Sequence, residues 1–253
     1  MGKFRVIAFM CLLSVIICMS IITNVIVESN IENKSEVSQK KGVQTSGFLG
    51  QILVGLNAEA STESERFSLL VLEAKEINSD VVGWINIEEF GISYPVLYSD
   101  DNKEYLRKNI EGNYDISGSI YLDANLPNIY SPIKLIHGHN MKNGTMFSEL
   151  PMLFGYTSLD QAPLIYYYDE LGLKVFKIFS IFSVNAEEES MIVSEFATLK
   201  EIEELKQGYY ERSWVPISEM PEGLEMLLLN TCWYGKSGVE RRLHCIVVAC
   251  RIR

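Results

Sequence analysis

Cys232 closes an apolar run, Leu227-Leu228-Leu229-Asn230-Thr231-Cys232, and is followed by Trp233-Tyr234-Gly235. Such a run predicts a buried strand that presents a thiol at its end. A free cysteine is commonly a packing residue. It becomes a nucleophile when the chain also supplies a base and a group for a developing oxyanion. Candidates for both exist. The chain has only 3 histidines, and two of them fall in Leu135-Ile136-His137-Gly138-His139-Asn140-Met141, at the end of a predicted strand. An imidazole can protonate a departing amine and later deprotonate an incoming one. Arg242 stands ten residues past Cys232, and a guanidinium stays charged and offers several donors to negative charge. Each residue alone has an ordinary structural reading; the three together describe thiol acyl-transfer chemistry. No His-Glu-x-x-His or paired Cys-x-x-Cys accompanies the histidines, so neither a metal nor another cofactor is expected.

The other cysteines fit this picture. Of 5 in the chain, Cys11 and Cys18 lie in an apolar N-terminal segment, leaving Cys232, Cys245 and Cys250 in the folded part. Cys245 and Cys250 share one predicted strand, where five residues place their Cα atoms roughly 16 Å apart on opposite faces. They cannot bridge each other. The odd count leaves at least one thiol free or paired between molecules.

The elements that must position these groups follow in order. Lys3 and Arg5 precede Val6–Val27, an uncharged stretch of mostly Val, Ile, Leu, Met and Phe. At 1.5 Å per residue it spans roughly 33 Å, enough for a bilayer core of about 30 Å. Asn24-Val25-Ile26-Val27 offers no small-residue cleavage site, so residues 1–27 are expected to be an uncleaved anchor. The basic end then stays cytoplasmic and the remainder lies outside the cell, bound to the membrane by a single pass. Residues 28–64 read as a polar tether with a short apolar piece at Phe48–Leu56, and residues 65–253 as one folded domain. Net charge of −11 argues against nucleic acid as a partner.

Within that domain Glu65–Ile77 carries Phe67, Leu70, Val71, Ala74 and Ile77 at helical spacing. The period then changes to short β-rich runs at Val81–Ile87, Ile92–Leu97, Ser119–Leu122, Ile133–His137, Leu164–Tyr168, Lys174–Val184, Met226–Thr231 and Leu243–Ile252. A capping box at Thr198-Leu199-Lys200-Glu201 opens one helix among them, with Ile202, Leu205 and Tyr209 on one face. Short strands with turn-rich connections predict a mainly β domain with helices (α+β) that forms a closed or nearly closed barrel.

Gly138-His139-Asn140-Met141, with Gly144-Thr145-Met146-Phe147 after it, Thr231-Cys232 and Arg242 resemble the sortases, most closely class B. Asn78–Trp84, Ile92–Val96 and Gly118-Ser119-Ile120-Tyr121-Leu122-Asp123 extend the similarity, which covers about Glu65 to Arg253. The N-terminal helix and the helix Leu199–Gln207 before the cysteine strand also look like class B. The resemblance implies an eight-stranded sortase barrel that cuts a sorting signal related to Asn-Pro-x-Thr-Asn or -Gly after Thr. The acyl fragment of the secreted surface protein is held as a thioester and passed to an amine of the cell-wall peptidoglycan precursor. It further implies Cys232 as nucleophile, His139 as acid/base and Arg242 at the substrate carbonyl or oxyanion. In this placement His137 lies inside the strand, Arg241 points to the opposite face from Arg242, and His244 packs without a role. Two positions depart from the class pattern: Asn230 where Ser is frequent, and Trp233 where some members carry an acid. Asn230, Thr231 and Trp233 are therefore the expected substrate-binding flank of the thiol.

Rival readings fit less well. An L,D-transpeptidase places His-Gly directly before its cysteine, where this chain has Asn230-Thr231. A papain-like protease has Cys before His, and the order here is His, Cys, Arg. A catalytically inactive, membrane-tethered peptide-binding module would not need all three groups.

Overall fold

The computed structural model describes residues 62–185, 198–235 and 243–253. The apolar segment 6–27, the Phe48–Leu56 piece, Arg241 and Arg242 lie outside the described residues. Among those described, no helix is long and apolar enough to cross a membrane.

Two helices and eight strands follow one another as α1 (Glu63–Ile77), β1 (Val81–Ile87), β2 (Ile92–Leu97), β3 (Ile120–Leu122), β4 (Ile133–His137), β5 (Leu164–Asp169), β6 (Gly172–Asn185), α2 (Leu199–Arg212), β7 (Met226–Trp233) and β8 (Leu243–Arg251). The strands close into a barrel in the order β1-β2-β3-β4-β7-β8-β6-β5. Closure removes every free sheet edge. Most neighbours are antiparallel; β2 with β3 and β4 with β7 run parallel. A parallel pair needs a long return path, and for β4 and β7 that path carries β5, β6 and α2.

α1 starts two residues earlier than its hydrophobic spacing suggests, because Thr62 and Glu65 form a complete capping box. Its buried stripe of Phe67, Leu70, Val71 and Ala74 packs with Val81, Trp84, Leu97 and Tyr105 in a satellite cluster beside the main barrel core. α2 begins at the predicted capping box and presses Tyr209 against Phe182 of β6, ring centroids 5.9 Å apart. Cys245 and Cys250 are both buried and free, as their spacing requires.

Candidate active site

β4 and β7 are in register from Ile133 with Met226 to His137 with Asn230. The pairing continues past the end of β4, where the Gly138 amide donates to the Asn230 carbonyl at 3.1 Å. Asn140 then donates from Nδ2 to the Cys232 carbonyl at 2.8 Å. These two bonds carry the segment bearing His139 along the end of the cysteine strand, although His139 and Cys232 are 93 residues apart in sequence.

Gly138 is required there by space. A Cβ on it would lie 2.5 Å from Ile120 Cδ1 and 2.6 Å from Phe147 Cδ2, far inside van der Waals contact. The loop that follows is closed by the Phe147 amide donating to the His139 carbonyl at 2.9 Å. Just before it, Met146 has φ 60°, the one positive φ outside glycine among the described residues. Tyr94 holds that amide with its hydroxyl oxygen at 3.1 Å. A strained, over-determined residue beside a candidate site is a familiar pattern.

Cys232 and His139 line one cavity of about 340 Å³, together with His137, Asn230, Thr231, His244 and the connection around Leu106. The two-residue period places Leu228, Asn230 and Cys232 on one face of β7. His244 of β8 pairs directly across from Cys232, so a residue expected only to pack is a cavity wall. His139 Nε2 lies 2.9 Å from the Leu106 carbonyl oxygen. A carbonyl only accepts, so Nε2 carries the proton and the neutral ring keeps Nδ1 as its basic nitrogen. Gly118 makes room for that carbonyl: at φ +57° a Cβ would sit 2.6 Å from Leu106 O.

The remaining cysteines contrast with Cys232. Complete burial pushes the Cys245 thiol far above the ordinary range, and burial likewise raises Cys250. Neither lines the cavity. Cys232 is only partly buried.

Of the expected substrate-binding positions, Asn230 and Thr231 line the cavity. Trp233 does not. One residue past the thiol, it turns to the other face of β7 and packs on Phe154 and Trp214 at centroid distances of 4.5 and 5.4 Å. Sequence reasoning missed Asn140, Leu106 and Asp123. Asn140 directly follows His139 and Asp123 closes the Gly118–Asp123 stretch, but neither was given a role; Leu106 left no local signal.

The residues thus build a closed β-barrel with a thiol and an oriented imidazole lining one cavity at adjoining strand ends. The Sortase domain model matches residues 85–252, more than half of the 253-residue chain, and the chain belongs to that family. Sortase B of Listeria monocytogenes is 29% identical over 162 residues, covering 63% of this chain and 65% of that protein. Sortase B of Staphylococcus aureus is 27% identical over 116 residues, covering 45% and 47%. The chain thus matches less than two thirds of the length of these curated relatives. The X-ray structure of Clostridium perfringens sortase B shares the fold with a TM-score of 0.65 and 28% identity, over 72% of this chain and 99% of that one.

Proposed function

We propose that the protein is a membrane-anchored extracellular cysteine transpeptidase of the class B sortase type. It cleaves a C-terminal sorting signal related to Asn-Pro-x-Thr-Asn or -Gly after Thr and transfers the acyl fragment to an amine of the cell-wall precursor. The observation that carries this reading is the placement of Cys232 and His139 on one cavity wall, tied by the Asn140 bond to the Cys232 carbonyl.

In the first step the Cys232 thiolate attacks the Thr carbonyl carbon. The C–N bond breaks, a C–S bond forms, and the imidazolium of His139 gives its proton to the departing amine. In the second step the acceptor amine attacks the thioester. A new amide forms, sulfur leaves as thiolate, and the amine's surplus proton passes to His139. Arg242, assigned from the sequence, stabilises the oxyanion in both tetrahedral states. Val6–Val27 serves as the anchor, with Lys3 and Arg5 holding its start in the cytoplasm.

The test compares native protein with Cys232→Ala on a quenched Asn-Pro-x-Thr-x peptide library, with and without an amine acceptor. Cleavage by the native protein alone, and a ligated product when amine is present, is expected. Equal cleavage by both proteins would end the reading.

A further inference from the structure

The floor of the cavity holds a polar chain that the transfer chemistry above does not use. His137, the last residue of β4, has its side chain 16% exposed and its Nε2 2.8 Å from Asp123 Oδ2. Its Nδ1 is 3.1 Å from Asn230 Nδ2. Tyr121 stacks on the ring at a centroid distance of 5.2 Å.

Asp123 is itself held in place. Asn102 Nδ2 donates to Oδ2 at 3.0 Å, and the Asn125 amide donates to Oδ1 at 2.7 Å. Burial alone would raise this carboxyl, but the hydrogen bonds from His137 and Asn125 and the nearby imidazole charge outweigh it and hold it below the ordinary range. Asp123 is therefore a fixed anion beneath His137. It orients Nε2–H toward itself, which makes Nδ1 the acceptor for the Asn230 amide in the neutral ring. Asn230 Oδ1 is then left buried with no hydrogen-bond partner. A second proton on His137 reverses that preference: Nδ1 becomes a donor, and Oδ1 of a turned amide becomes its acceptor. Both states hold Asn230, two residues before Cys232 on the same face of β7.

We infer that His137, clamped by Asp123, is a positioning residue for Cys232: it fixes Asn230 and the end of β7, and when protonated it supplies positive charge beside the thiol. The other titratable groups facing this cavity are Tyr121 from β3, Asp123 after it, His139 after β4, Cys232 of β7 and His244 of β8. A nearby cation raises the thiolate fraction of a cysteine. The effect is largest below the thiol's own pKa and vanishes above it. This inference deepens the cysteine reading and rests on it, but its readout does not require peptide cleavage.

The experiment measures the alkylation rate of Cys232 by iodoacetamide, located by peptide mapping, at about pH 6 and about pH 9. Native protein, His137→Gln and Asp123→Asn are compared, with a thermal melt of each. His137→Gln is expected to lose about tenfold in rate at the lower pH and less than twofold at the higher; Asp123→Asn, which loosens the clamp but also removes an anion from the cavity, is expected to lose less than His137→Gln at the lower pH. Gln keeps a hydrogen bond to Asn230 yet cannot be charged, and Asn keeps an acceptor for His137 without the anion. The inference is overturned by an unchanged ratio of the two rates in His137→Gln, which is what packing damage alone gives. Failure of native protein to cut any peptide would instead remove the proposed function and leave the alkylation result standing.

Discussion

The parallel pair β4–β7 has two chemically different ends. At its start, Lys174 Nζ lies 3.0 Å from Asp169 and 2.8 Å from Glu225. Glu225 also takes Arg251 at 2.8 Å and stands 3.9 Å from Lys134, whose side chain is 2% exposed. Lys134 completes its own bonding at the Ser131 carbonyl, 2.7 Å away. None of these atoms is among the unpartnered buried polar atoms of the described residues. At the other end stand His137, Asn230, Thr231 and Cys232, and two consecutive residues there, Asn230 and Thr231, each have a buried oxygen without a partner. Each such atom costs on the order of 1–3 kcal/mol. One end of the strand pair is built for closure and the other keeps polar groups unspent. Departures of that kind from full satisfaction concentrate at functional sites.

The comparison breaks most visibly if the charged end is emptied of its anion. Burial alone would raise the Glu225 carboxyl; hydrogen bonds from Lys174 and Arg251 and the charges of Lys174 and Lys134 reverse this and hold it below the ordinary range. Glu225→Gln keeps the shape and leaves Lys174 and the buried Lys134 with one anion fewer. A loss of about 3 kcal/mol is expected, or roughly 6–12 °C in melting temperature for a domain of this size. The sign with pH follows from the lowered folded value. The contribution is present above the unfolded carboxyl pKa of about 4.3 and is lost as pH falls through the folded one. The gap between the native and variant melting curves should therefore close on acidification below about pH 4. Alkylation of Cys232 in the folded variant should stay native. A gap that widens in acid would show that Glu225 is not the stabilising partner.

A smaller effect is expected from Gly138→Ala, which attacks the site end. The added Cβ meets Ile120 and Phe147 at 2.5 and 2.6 Å, and core overpacking of that kind costs roughly 1–3 kcal/mol. Because Gly138 bonds to Asn230, the displacement passes to the His139 segment. Peptide cleavage should fall by more than the stability loss explains, in contrast to Glu225→Gln. Native cleavage in a folded Gly138→Ala protein would deny that the β4–β7 junction sets the geometry.

How much of this was legible in the sequence depends on the range of the interaction. The eight strands were visible because each is a short β-rich run. The start of α2 was visible as a capping box within four residues of chain, whereas α1 begins at a Thr62–Glu65 box that its hydrophobic spacing does not mark. The thiol and imidazole were visible as residue types, and the family resemblance paired them. The partners Asp123, Leu106 and Asn140 were not, because their bonds to His137, His139 and Cys232 exist only once β3, β4 and β7 are side by side. Trp233 was expected beside the thiol and packs instead on Phe154 and Trp214, away from the cavity lining. Adjacency in sequence suggested adjacency at the site, whereas strand alternation places every second residue on the other face.

The smallest effect is expected from the bond that joins the two halves of the site. Asn140 Nδ2 donates to the Cys232 carbonyl at 2.8 Å. Asn140→Ala removes one neutral hydrogen bond and should cost about 1 kcal/mol, close to the limit of a melting measurement. Asn140→Asp separates positioning from electrostatics. A carboxylate cannot donate to that carbonyl, so the tie is lost as in the alanine variant, and a negative charge is added beside the thiol, which disfavours thiolate. Both variants should lower peptide cleavage, while only Asn140→Asp should slow iodoacetamide labelling of Cys232 near neutral pH by more than about threefold. Equal labelling rates in the two would mean that Asn140 acts on the His139 loop alone and that the thiol is insensitive to charge at this position.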